Sequence, residues 1–151
     1  MNPKLSEHFF LLEFLVSDTA ARRGIDNTPS DEVIANLRRV ASKLEEIRAL
    51  TKRPIVVTSG YRSLALNRAV GGSKTSAHVQ GLAADIHCQP FTPFELGQML
   101  IDAKIDFDQL IQEGTWLHVG LAAAGKKPRR QLLTAVFGKE GTTYKEGCFE
   151  K

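Results

Sequence analysis

Three side chains in this 151-residue sequence have the chemistry to hold a metal ion together: His78, Asp85 and His118. Imidazole nitrogen and carboxylate oxygen bind a first-row dication such as Zn²⁺ at about 2.0–2.2 Å. Three protein ligands leave a fourth position for water, which is the pattern of a catalytic rather than a structural site. Asp85 is the sharpest anomaly, because it interrupts the apolar run Ala83-Ala84-Asp85-Ile86. A carboxylate buried there must be paired, hydrogen-bonded or metal-bound; otherwise it sits at a strand edge facing water. Taken singly, His78 reads as a loop histidine, and His118 reads equally as a ligand or as a satisfied strand histidine. Gly81, Ala83 and Ala84 leave room for backbone to pass close by.

Helices come first among the elements that must position these groups. Ser17-Asp18 caps a short helix over Thr19 to Arg23, and Gly24 ends it. Ser30-Asp31-Glu32 starts a long one. Its stripe of Val33, Ile34, Leu37, Val40, Ala41, Leu44 and Ile47 runs to near Leu50. A third covers about Leu64 to Val70. A fourth begins with Thr92 as cap and Pro93 at its first position, and runs to about Ala103. Strands are predicted over Ile55 to Thr58, Leu82 to Cys88, Gln109 to Glu113, Trp116 to Leu121 and Leu132 to Phe137. Only Gly114-Thr115 separates the third and fourth strands, which suits a two-residue hairpin. Helices first, then strands mixed with helices, predict an α+β fold with a mostly antiparallel sheet and helices on one side. The whole of 1–151 reads as one domain. Residues 1–29 form a helical lead-in, and 138–151 form a loose tail.

Composition narrows the function. A chain 42% hydrophobic and 25% charged is globular rather than disordered. The formal net charge of +3 is too small to imply nucleic acid as a partner. The cluster Lys126, Lys127, Arg129 and Arg130 reads as a solvated loop. No apolar run reaches about 18 residues, so no membrane insertion is expected. The opening segment lacks the basic start and the cleavage site of a signal peptide, so the expectation is synthesis in the cytoplasm. Cys88 reads as a buried thiol; a bond between Cys88 and Cys148 stays open.

Three motifs in order, Ser59-Gly60-Tyr61-Arg62-Ser63, Ser76-Ala77-His78-Val79-Gln80-Gly81-Leu82-Ala83-Ala84-Asp85-Ile86 and Trp116-Leu117-His118-Val119-Gly120, resemble one family. It is the zinc D-Ala-D-Ala carboxypeptidase and L-alanyl-D-glutamate endopeptidase family of peptidoglycan peptidases (peptidase M15). The similarity is nearest to the compact branch common in phages and prophages. The resemblance implies a Hedgehog-like peptidase fold, with Zn²⁺ as cofactor and His78, Asp85 and His118 as its ligands. The substrate it implies is a peptidoglycan stem peptide, cut by a monomer on the cell wall after release at lysis or as part of a phage tail. It also implies that Arg62 binds a substrate carboxylate or carbonyl, which suits the planar fork of a guanidinium. Ser76 serves the substrate or the turn before His78. Gln80 donates to a developing oxyanion, and Trp116 lines the substrate groove or packs in the core.

One position departs from the family. The acid or histidine that commonly stands three residues before the last ligand is here Thr115, which cannot act as a base. The hairpin supplies a replacement. With a two-residue turn, Ile111 lies opposite His118 and Glu113 opposite Trp116, so Glu113 shares the His118 face on the diagonal, at about 7 Å. Glu113 is therefore the expected general base. His87, two after Asp85, reads as a support for the site, a rival ligand or an exposed strand residue. His8 reads as structural or solvated. The rival to an enzyme is a non-catalytic zinc-binding module of the same fold, as in the related Hedgehog signalling domains.

Overall fold

The computed structural model describes residues 2–147. After a 3-10 turn over Leu11–Phe14 come α1 (Asp18–Arg23), α2 (Asp31–Thr51), β1 (Val56–Ser59) and α3 (Leu64–Ala69). A second 3-10 turn, Ala77–Gln80, leads into β2 (Ala83–His87). Then follow α4 (Pro93–Asp102), β3 (Gln109–Gln112), β4 (Leu117–Gly120), β5 (Gln131–Gly138) and β6 (Gly141–Glu146).

Local chemistry explains the helix limits. Ser17 Oγ accepts the Ala20 N–H at the head of α1, and Gly24 ends that helix at φ 63°. Ser30 Oγ accepts the Val33 N–H at the head of α2. In α4, Thr92 Oγ1 accepts the Glu95 N–H at 3.1 Å while Glu95 Oε1 accepts the Thr92 N–H at 2.9 Å. Two otherwise orphaned donors are thus satisfied reciprocally.

The six strands run in the order β1-β2-β4-β3-β5-β6. Only the β3–β5 pair is parallel. One face of the sheet, carrying Ala84, Ile86, Leu110, Leu117 and Val119, joins Leu37, Val40 and Leu44 of α2 and Leu96 and Leu100 of α4 in a single core. Alternation along the strands then sends Asp85, His118 and Ile111 to the opposite face. The register lines these up in one row: Ser59 opposite Asp85, Asp85 opposite His118, His118 opposite Ile111. The fold is therefore α+β with a mostly antiparallel sheet, as the order of elements predicts.

The tail differs from the sequence reading. Residues 138–151 read as loose, yet Gly138 pairs with Gly141 and β6 runs back along β5 as far as Glu146 opposite Leu133. The strand Gly141-Thr142-Thr143-Tyr144-Lys145-Glu146 is exposed at every position. It has no apolar alternation to betray it, and it exists because its backbone pairs with β5. Cys148 lies outside the described residues; Cys88 is a buried thiol.

Candidate metal centre

His78 is delivered by the second 3-10 turn. Ser76 Oγ caps it by accepting the His78 N–H at 3.2 Å. Gly81 leaves the turn at φ 71°, and a Cβ there would meet Val33 of α2 at 2.8 Å. The turn is therefore pressed onto the long helix, which glycine alone permits without strain. His78 Nδ1 stands 2.6 Å from the carbonyl oxygen of Gly60, at the end of β1. A carbonyl only accepts, so Nδ1 carries the proton and Nε2 faces inward.

Nε2 meets Asp85. Its distance to Asp85 Oδ1 is 3.2 Å, and His118 Nδ1 lies 3.1 Å from the same oxygen. The three ligand atoms all fall within 4.8 Å of one another, and all three residues are buried. Burial pushes the His78 imidazolium down from its ordinary value, further than the Asp85 charge raises it. Burial pushes the Asp85 carboxyl up, but the charges and hydrogen bonds of His78 and His118 outweigh it and hold the group well below the usual carboxylate range. With Nδ1 committed to the Gly60 carbonyl, Nε2 of a neutral His78 turns its lone pair toward Asp85, and two acceptors in contact repel. His118 Nε2 is also buried with no hydrogen-bond partner among the described residues. A cation held between the three groups removes the conflict. Two imidazole nitrogens and one carboxylate oxygen form a donor set that suits zinc.

Arg62 stands in the turn after β1. Its backbone N–H donates to the His78 carbonyl at 3.1 Å, so the two motifs are tied together. Burial lowers its guanidinium pKa, while Asp85 and Glu113 act against that. Its Nε is buried without a partner among the described residues. Asn27 braces this turn. Its amide donates to the carbonyls of Leu15 and Tyr61, and its Oδ1 accepts from the Ser63 N–H. Nothing in the local sequence marks Asn27 or the Gly60 carbonyl for these roles, because both act through long-range contacts.

The hairpin has the expected geometry. The Glu113 N–H donates to the Trp116 carbonyl at 3.0 Å, and Gly114 turns the chain at φ 84°. Ile111 pairs with His118, so Glu113 projects on the metal face. Burial pushes the Glu113 carboxyl up and the Asp85 charge adds to this; His118, Trp116 and Arg62 oppose it. Glu113 Oε2 accepts from Trp116 Nε1 at 2.6 Å.

A groove of about 600 Å³ opens over this face, lined among others by Val16, Asp18, Arg62, Asp85, His87, Thr115 and Trp116. His87 faces the groove but stands outside the three-residue metal cluster. Ser76 and Gln80 do not line the groove. Ser76 serves the turn that carries His78, and the exposed Gln80 offers its carbonyl to Asn36 of α2. His8 is remote, pairing with Glu45 at 2.6 Å. No described helix is long and apolar enough to cross a membrane.

The sequence model of the family described as Peptidase M15 matches residues 7–120 of the chain. No curated protein matches it. The matched stretch includes His78, Asp85, His118, Arg62 and Glu113, and it stops before β5 and β6.

Proposed function

The chain belongs to the peptidase M15 family, and on that premise we propose that it hydrolyses a peptide bond in peptidoglycan stem peptides, using zinc held by His78, Asp85 and His118. The observation that carries this reading is the meeting of three buried candidate ligand atoms within 4.8 Å, with lone pairs that a bound cation reconciles. Zinc bound there supplies Lewis acidity, activating water and polarising the scissile carbonyl. Glu113 takes a proton from the attacking water at its carboxylate and returns it to the leaving amine nitrogen. That role needs a carboxylate whose pKa lies nearer the working pH than an exposed one, and burial beside Asp85 moves Glu113 in that direction. Arg62 orients a carboxylate or carbonyl of the substrate from the groove wall, with Trp116 beside it. His87 and Thr115 border the same space without entering the metal cluster.

The likeness of the three motifs supports the compact branch of the family, with a monomer that acts on the wall at phage lysis or from a phage tail. D-Ala-D-Ala carboxypeptidase and L-Ala-D-Glu endopeptidase are its two cleavage modes. Digests of purified peptidoglycan separate them by mass: the first releases single D-Ala, the second splits the stem.

Thr115 favours a second reading. With no acid at that position, the same fold also serves as a zinc-binding module without hydrolysis. Wild-type chain loaded with zinc that releases no new amine from peptidoglycan decides for the module.

A further inference from the structure

The strand hidden in the C-terminal segment places a tyrosine against the candidate base. Gln112 pairs with Thr134 across the parallel β3–β5 junction, so one step further Glu113 stands level with Ala135. Ala135 in turn pairs with Tyr144 of β6. Side chains level with one another in neighbouring strands share a face. Glu113, Ala135 and Tyr144 therefore form a row on the face that carries His118, one row out from the metal cluster. Two strand spacings cover about 9.6 Å. A tyrosine and a glutamate leaning toward each other span this only if the residue between them is small, and alanine is. The register thus sets Tyr144 and Glu113 on one face across Ala135, and interaction with the Glu113 side chain is among the causes that raise the phenol pKa. Burial, and then the Glu113 charge, push the phenol pKa up, so the hydroxyl keeps its proton and is the donor. Trp116 Nε1 donates to Glu113 Oε2 from the other side, at 2.6 Å.

We propose that Tyr144 is a positioning residue for Glu113: its hydroxyl donates to the Glu113 carboxylate across Ala135 and, with the Trp116 indole, holds that carboxylate toward His78, Asp85 and His118. The proposal rests on the reading of Glu113 as the general base. It assigns a function to the β5–β6 hairpin, which lies beyond the stretch matched by the family. Two donors, one from the β3–β4 turn and one from β6, leave the carboxylate little rotational freedom, and a base must be aligned with the proton that it takes.

Tyr144→Phe in the full, zinc-loaded chain tests it. The ring is about half exposed, so losing the hydroxyl leaves the core intact. Rates of amine release are followed over a range of concentrations of purified peptidoglycan. The expected result is a kcat about 10-fold lower, a fraction of what a general base contributes, with KM within about 2-fold. The acid limb of the pH–rate profile moves to higher pH, because a donor that favours the charged carboxylate has gone. In a Glu113→Gln background, Tyr144→Phe lowers kcat no further. A readout free of turnover runs in parallel: the ¹³C resonance of the Glu113 carboxyl, assigned by its loss in Glu113→Gln, titrates at higher pH in Tyr144→Phe. An unchanged kcat and carboxyl midpoint overturn the proposal. So does a raised KM at constant kcat, which makes Tyr144 a substrate contact. Failure of the underlying reading shows separately, as a Glu113→Gln variant with wild-type kcat, and it removes the proposal too.

Discussion

Glu113 is the proposed carrier of the proton, and its surroundings set when it can act. As a base it must be ionised. Burial and the Asp85 charge raise its pKa, so activity is lost as pH falls through that raised value. The acid limb of the rate profile is therefore expected at higher pH than for an exposed glutamate. Burial pushes the His78 imidazolium down, which favours the neutral form that binds metal. A pH–rate profile on peptidoglycan checks this; a limb at the value of an exposed glutamate contradicts it. Glu113→Gln keeps the size and most of the hydrogen bonding but cannot accept the proton. A loss of at least about 100-fold in kcat is expected, with zinc near one per chain by elemental analysis. Loss of zinc along with activity would make Glu113 part of the metal shell instead.

At the scale of elements, the site depends on where β1 ends. A Cβ on Gly60 would lie 2.6–2.7 Å from backbone and side-chain atoms of Phe14, the buried last residue of the first 3-10 turn. The Gly60 carbonyl also fixes the ring of His78. Gly60→Ala is expected to cost about 1–3 kcal/mol of stability through overpacking. Zinc affinity falls by about 10-fold or more, because the partner that orients a ligand has moved. Denaturant unfolding and a competitive chelator titration measure the two effects. The helices were legible in the sequence because caps such as Ser30 and Thr92 and the Leu37-Val40-Leu44 stripe are local signals. The hairpin register was legible too: a two-residue turn fixes which residues oppose which, and Ile111 does lie opposite His118. The tail was not. The exposed β6 carries no hydrophobic period, and its pairing with β5 through backbone groups makes it a strand. The Asn27 brace and the row from Glu113 to Tyr144 escaped because they join segments far apart in the chain.

For the molecule as a whole, the helices and the core side of the sheet form one apolar body, and the opposite face is left to polar chemistry. On the proposed reading, metal offsets the cost of burying Asp85, His78 and His118, and only in the folded state. Zinc at a hundredfold excess over Kd thus stabilises by about 2.7 kcal/mol. Chelation is expected to lower Tm by roughly 5–10 °C for a chain of this size, and Asp85→Ala to abolish the zinc dependence of Tm. A chelator that leaves Tm unmoved would separate the cluster from metal. The central claim is zinc-dependent cleavage of stem peptides, and mass spectrometry of purified peptidoglycan reads it directly when zinc-loaded wild-type chain and Asp85→Ala are compared side by side. New amines and fragments broken at a single bond, from wild type alone, are the predicted result; an intact stem after digestion with zinc-loaded wild type contradicts the account.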